Sequence, residues 1–178
     1  MVGPSGSGKT TLVDALASSG RGIVRAVTCT TRPPRLGERD GVDYHFRSED
    51  QFLRMLDAGE LVEHTLYGGY RYGLPWLSVG DGFKTVVVVV DPPGVLNLRQ
   101  GLNRPLVVVG LSGLDEAELC RRMQERGDDS EAVAARVSLA RAEAAAIRAC
   151  AEVVLPALSP AELRDVVLDL MKQRRVLT

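Results

Sequence analysis

The sequence predicts an α/β layered fold, with helices flanking a sheet of parallel strands. Three observations carry this reading. Apolar, β-branched runs at 85–90 (TVVVVV) and 106–111 (LVVVGL) have the pattern of strands buried on both faces. Stretches of helical periodicity separate them. The chain has 178 residues, 45% apolar and 25% charged, which is the balance of one globular domain or one core with small mobile insertions.

The elements follow in order. Residues 10–17 place Leu12, Ala15 and Leu16 on one helical face, and Gly20 and Gly22 end that helix. Residues 23–27 read as a strand. Residues 28–42 hold Pro33, Pro34, Gly37 and Gly41 and read as a loop. Ser48 and Gln51 have the spacing of a capping box for a helix over 48–56, which Gly59 stops. Residues 60–67 are extended, and Tyr67-Gly68-Gly69-Tyr70 reads as a hairpin turn. Trp76 reads as a packing residue. The strand at 85–90 ends on Asp91. Past the strand at 106–111, a helix over 115–125 sets Leu119 and Met123 four apart. Residues 127–130 are a break, 131–149 an alanine-rich helix, and 153–155 the last strand. Ser159-Pro160-Ala161-Glu162 opens the last helix, with proline at its first position and Leu163, Val166, Val167 and Leu170 as its buried stripe.

Composition excludes several classes. The net charge of -1, from 22 basic and 23 acidic residues, lacks the basic excess of a nucleic-acid coat. Only three basic residues are lysines (Lys9, Lys84, Lys172), an arginine excess that reads as compositional bias. No apolar run is long enough to cross a bilayer, and no signal-peptide pattern opens the chain. The expectation is therefore a cytoplasmic protein without membrane or nucleic-acid partners. Cys29, Cys120 and Cys150 are far apart and read as reduced thiols, and His45 and His64 do not have metal-pair spacing.

Gly3-Pro4-Ser5-Gly6-Ser7-Gly8-Lys9-Thr10 matches G-x-x-x-x-G-K-[ST] and leads into a helix. Its glycines let successive backbone N–H groups surround a phosphate, and Lys9 can bridge the outer phosphates. The Thr10 hydroxyl is placed for Mg²⁺, and the helix N-terminus adds a favourable dipole. Residues 3–10 with Thr11 form the expected ATP-binding set. Only Met1 and Val2 precede Gly3, where such a loop normally follows a strand. A lost start, a misassigned start codon or a shortened strand would each explain this, and a reduced central strand is expected to cost stability.

Next comes Thr30-Thr31-Arg32-Pro33-Pro34-Arg35-Leu36-Gly37-Glu38-Arg39-Asp40-Gly41-Val42-Asp43-Tyr44-His45-Phe46. Two arginines held together by a Pro-Pro pair, with a tyrosine hydroxyl nearby, make a receptor for a phosphate dianion. Taken alone, the run reads better as a solvated loop whose arginines do nothing. The run strongly resembles the guanylate kinase family's T-T-R-x-P-R-x-G-E-x-x-G-x-D-Y-x-F. Two further blocks resemble that family: Gly59-Glu60-Leu61-Val62-Glu63-His64 through Tyr72-Gly73, and Cys120-Arg121-Arg122-Met123-Gln124-Glu125-Arg126-Gly127. With the phosphate loop, four blocks stand in the family's order.

The resemblance implies a P-loop NTPase-like parallel sheet flanked by helices, with an inserted mixed α/β nucleoside-monophosphate-binding segment and a short lid. Residues 1–28, 73–125 and 137–178 would form the core, 29–72 the GMP segment and 126–136 the lid. It implies that Arg32, Arg35, Tyr44 and Tyr72 hold the GMP phosphate. Glu63 would accept from the guanine N–H and amino groups, with Thr28 and Asp91 nearby. Lys9, Arg122, Arg126 and Arg136 would neutralise the transferring group. The implied reaction is ATP + GMP to ADP + GDP, with Mg²⁺. Leu74 and Pro75 depart from the family pattern, as do Val89, Pro92-Pro93 and Leu155-Pro156-Ala157. Two alternatives follow: a kinase for another small phosphorylated acceptor, and a non-catalytic guanylate-kinase-like binding module.

Overall fold

The computed structural model describes residues 1–4, 6–80, 85–111, 116–125, 128–156, 158–174 and 176, with backbone alone at 119, 132, 136, 139–141 and 143. Two parallel strand pairs make the floor of the molecule. β1 (Ile23–Arg25) pairs with β6 (Thr85–Val87), and β7 (Val109–Leu111) pairs with β8 (Val153–Leu155). Met1 and Val2 run between the two pairs. Val2 N–H donates to Val109 O at 3.0 Å and Val2 O accepts from Leu111 N–H at 2.8 Å. On the other side Met1 O accepts from Val90 N–H at 3.1 Å, and the Met1 amine donates to Val88 O at 2.8 Å. Two residues thus occupy the seat of the central strand. Val2 is fully buried against Val95, Val108, Ile147 and Cys150. The expected strands at 23–27, 85–90 and 106–111 are each shorter in the structure, being three residues of regular ladder. Beyond Val87 the backbone bonds to Met1 instead.

A second, mixed sheet stands over this floor in the order β3-β2-β5-β4. β2 (Cys29–Thr30) pairs in parallel with β3 (His45–Phe46) and antiparallel with β5 (Tyr70–Pro75), which pairs with β4 (Leu61–Tyr67). The reading of 28–42 as loop throughout is corrected: Cys29 and Thr30 are an inner strand, fully buried. Two residues are too few to show an alternation in sequence. The β4–β5 hairpin turns at Gly68 and Gly69, whose φ values of 58° and 80° suit residues without Cβ.

The helices pack by their apolar stripes. α1 (Lys9–Ala17) turns Leu12, Val13 and Leu16 inward and meets α6 (Pro160–Gln173) through Leu163, Val167, Leu168 and Met171. Val166, expected in the α6 stripe, is instead 41% exposed. Both predicted capping boxes form, at Ser48/Gln51 on α2 (Glu49–Asp57) and at Ser159/Glu162 on α6. α3 (Pro92–Gly101) was hidden by its own sequence. The sequence predicts no helix here; Pro92-Pro93 fits the first helical turn, where no intrahelical N–H partner is needed. α4 (Glu116–Glu125) and α5 (Ser130–Cys150) meet through Met123 and Val133. Trp76, expected to pack, lies in a single 3-10 turn (Trp76–Ser78) and is 46% exposed.

Candidate active site

The Gly-rich loop enters α1 through Gly8, whose φ of 88° lies in the left-handed region that favours glycine. Gly8 supplies no side-chain cap, and no acidic residue stands in the first turn of α1. The orphan N–H groups and the positive end of the helix dipole are therefore left to an anion. Lys9 folds back over the loop, donating from Nζ to Gly3 O at 2.6 Å and Pro4 O at 2.7 Å. Ser7 Oγ is buried with no hydrogen-bond partner among the described residues.

Across the cavity stands a cationic clamp. Arg32 is 5% exposed. It donates to Pro33 O at 2.7 Å and to Glu38 Oε1 at 2.9 Å, with its guanidinium 5.4 Å from the Tyr44 ring centre. Burial opposes its charge, but the Glu38 hydrogen bond and charge prevail and raise its pKa. The same balance, with burial pushing up and Arg32 and Arg35 pulling down, leaves the Glu38 carboxyl below its ordinary value. Glu38 Oε2 also accepts from the Arg35 N–H at 2.7 Å. Tyr72 lies edge-on to Tyr44 at 6.1 Å and to Tyr67 at 6.2 Å. Burial raises the Tyr44 phenol, which stays a neutral donor.

Glu63 on β4 is 5% exposed, and its Oε2 has no hydrogen-bond partner among the described residues. Burial first, and the Asp91 charge second, push its carboxyl up to about 8. Asp91 caps α3, with Oδ1 accepting from Gly94 N–H at 2.8 Å. A Cβ at Gly94 would lie 2.9 Å from Glu63 Oε2 and 3.0 Å from Asp91 Oδ1. The glycine makes room for two carboxylates at one end of the cavity.

One cavity of about 420 Å³ joins these groups. Of the sequence-derived set it is lined by Gly3, Gly6, Gly8, Lys9, Thr10, Thr11, Thr28, Arg32, Arg35, Tyr44, Glu63, Tyr72, Asp91 and Arg122. Pro4 and Ser7 are buried in the loop behind the lining. Ser5 and Arg126 lie outside the described residues. Arg136 falls on α5, and its side chain is likewise outside them. Arg122 reaches the cavity while paired with Glu118 at 2.5 Å, and Arg121 faces solvent. Glu38, Thr65, Tyr67 and Val89 line the cavity without having been assigned a role from sequence. Thr65 and Tyr67 sit two and four residues after Glu63, so strand alternation alone puts all three on one face. Leu74 does the reverse. It is fully buried with Ala26, Val62, Val79 and Leu98, away from the cavity lining.

Among the described residues no cluster of His, Cys, Asp and Glu could hold a metal ion, and no helix is long and apolar enough to cross a membrane. Thr10 presents an exposed hydroxyl at the loop. One hydroxyl beside a phosphate site suits Mg²⁺, which draws its remaining ligands from phosphate oxygens and water.

Comparison with known proteins gives the same direction. Residues 1–155 match the family model described as guanylate kinase. The chain is 38% identical over 148 residues to a guanylate kinase of Synechococcus sp. (strain JA-3-3Ab), covering 80% of this chain and 67% of that one. It is 38% identical over 148 residues to a guanylate kinase of Frankia casuarinae, covering 81% and 80%. The crystal structure of guanylate kinase from Anaplasma phagocytophilum superposes with a TM-score of 0.78 at 25% identity, over 97% of this chain and 82% of that one.

Proposed function

The chain belongs to the guanylate kinase family, and on that footing we propose that it transfers the γ-phosphoryl group of ATP to GMP or dGMP. The observation that carries the reading is the single cavity that joins a Gly-rich anion loop to an arginine–tyrosine clamp and a buried carboxylate. The loop and Lys9 receive the phosphates of the donor. Arg32, Arg35, Tyr44 and Tyr72 receive the phosphate of the acceptor. Glu63 takes the guanine N–H and amino donors, which adenine does not present together on that edge. Residues 1–28, 73–125 and 137–178 act as the core, 29–72 as the acceptor segment and 126–136 as the lid.

No protein nucleophile is needed, because the acceptor phosphate oxygen attacks. This chain supplies in-line placement and positive charge from Lys9, Arg122, Arg126 and Arg136. Thr10 would hold Mg²⁺, which when bound screens charge on the donor phosphates. Closure of the lid excludes water and so limits hydrolysis of ATP. The cytoplasm, where both nucleotides are available, is the compartment this reading takes.

A coupled ADP-release assay with ATP, Mg²⁺ and each of GMP, dGMP, AMP, CMP and UMP tests the proposal. Turnover confined to guanine nucleotides is expected. Equal turnover of all five would favour a kinase of broader acceptors. No turnover, with no ATP binding in calorimetry, would favour a binding module.

A further inference from the structure

Each arginine of the acceptor clamp is held by a carboxylate, and the two carboxylates come from different parts of the chain. Glu38 lies within the clamp loop and holds the Arg32 guanidinium at 2.9 Å. The Arg35 side chain is held from outside that loop. Its Nε lies 3.3 Å from Oδ1 of Asp128, in the connection between α4 and α5. Asp128 is 8% exposed on its side chain, against 26% for Arg35. Its backbone N–H donates to Met123 O at 3.1 Å, and Met123 is itself buried against Val133. Asp128 is thus fastened to the end of the helix whose Arg122 and Glu125 line the cavity.

This arrangement differs from an ordinary surface ion pair, in which two mobile side chains meet in water. The carboxylate is anchored by its own backbone and shielded. A guanidinium held through Nε keeps its two terminal NH2 groups as a fork for a phosphate. We propose, resting on the reading that this clamp receives the GMP phosphate, that Asp128 is a positioning residue for Arg35. It orients the Arg35 fork toward the acceptor phosphate from the α4 arm, as Glu38 orients Arg32 from within the loop. The ion pair links the acceptor segment to the arm that carries Arg122.

The test is kinetic and calorimetric on the full chain. Asp128→Asn should raise the KM for GMP and the calorimetric Kd for GMP about tenfold, between the small loss expected of an exposed ion pair and the larger one of a buried pair. The KM for ATP should stay within about twofold. Asp128→Glu should recover part of the loss. In an Arg35→Lys background, which has no Nε, Asp128→Asn should add nothing further to the GMP KM. Equal rises in both KM values, or additive effects in the double variant, would show a merely structural role and overturn the proposal. Tighter GMP binding by Asp128→Asn would overturn it too, because the carboxylate would then be competing with the phosphate. A wild-type chain active on GMP with an unaffected Asp128→Asn would refute this inference alone. A wild-type chain that neither binds nor phosphorylates GMP would remove the functional reading and this inference with it.

Discussion

Replacing Glu63 by Gln should make the protein more stable and less able to bind GMP, and the two effects separate by pH. The carboxyl sits at 5% exposure with an unpartnered Oε2 and is pushed from an ordinary 4.5 to about 8, first by burial and then by Asp91. Below pH 4.5 it is protonated in both folded and unfolded chains and costs nothing. Above 4.5 the unfolded chain ionises while the folded one keeps its proton, so stability falls as pH rises, until the folded carboxyl also ionises near pH 8. Each pH interval of one corresponds to about 1.4 kcal/mol. Between pH 4.5 and 7 the penalty reaches about 3 kcal/mol. Glutamine does not titrate. Any fixed cost of its buried amide is the same at every pH, so the difference in Tm between variant and wild type should grow by about 6–12 °C from pH 4.5 to 7, and further toward pH 8. Calorimetric melts at four pH values measure it. In parallel, GMP affinity should fall about 100-fold, because the amide offers one acceptor where the ionised carboxylate offers two. GMP binding to wild type near neutral pH should release a proton, read from titrations in buffers of different ionisation heat. A Tm difference that does not change with pH would refute the reasoning, since it would mean that Glu63 is already ionised in the empty cavity.

Three further substitutions probe the rest of the site. Lys9→Ala should lower kcat at least about 100-fold, by removing the cation nearest the loop, while GMP binding by calorimetry stays close to wild type. Gly94→Ala should raise the GMP KM about tenfold and lower Tm, because its Cβ would lie 2.9 Å from Glu63 Oε2, 3.0 Å from the capping Asp91 Oδ1 and 3.2 Å from Val90 Cβ. Leu74→Thr should cost about 3 kcal/mol in urea unfolding, since it removes buried methyl groups and buries a hydroxyl among Ala26, Val62, Val79 and Leu98. It should leave the preference for GMP over AMP unchanged.

Where the sequence was legible, the signal was local. The loop at Gly8-Lys9-Thr10, the two capping boxes and the Gly68-Gly69 turn each place their determinants within a few residues, and each forms as read. The losses have a common cause. β2 is two residues long, and its identity comes from neighbours more than ten residues away in β3 and β5. α3, for which the sequence predicts no element, begins with two prolines. The run at 85–90 looks like one long strand, but its second half spends its hydrogen bonds on Met1. Side-chain direction was equally out of reach at Leu74. Facing Glu63 in the register, it packs into the core instead of the cavity.

The arginines show how much the third dimension adds. Without the family resemblance, Arg32 and Arg35 flanking Pro33-Pro34 read better as a solvated loop than as a phosphate receptor. A solvated loop does not bury an arginine to 5% exposure over two aromatic rings. Such burial is tolerable only when a carboxylate holds the charge and the remaining donors have somewhere to go. Glu38 supplies the first condition for Arg32, and Asp128 pairs with the more exposed Arg35. Guanidinium charge fixed at a cavity wall, with a neutral phenol beside it and an anion loop opposite, makes the cavity an anion receptor from two directions. The cost of assembling these charges is met in folding. Under the proposed function, a nucleotide phosphate would meet donors that are already aimed, which is the condition for a kinase that works by placement.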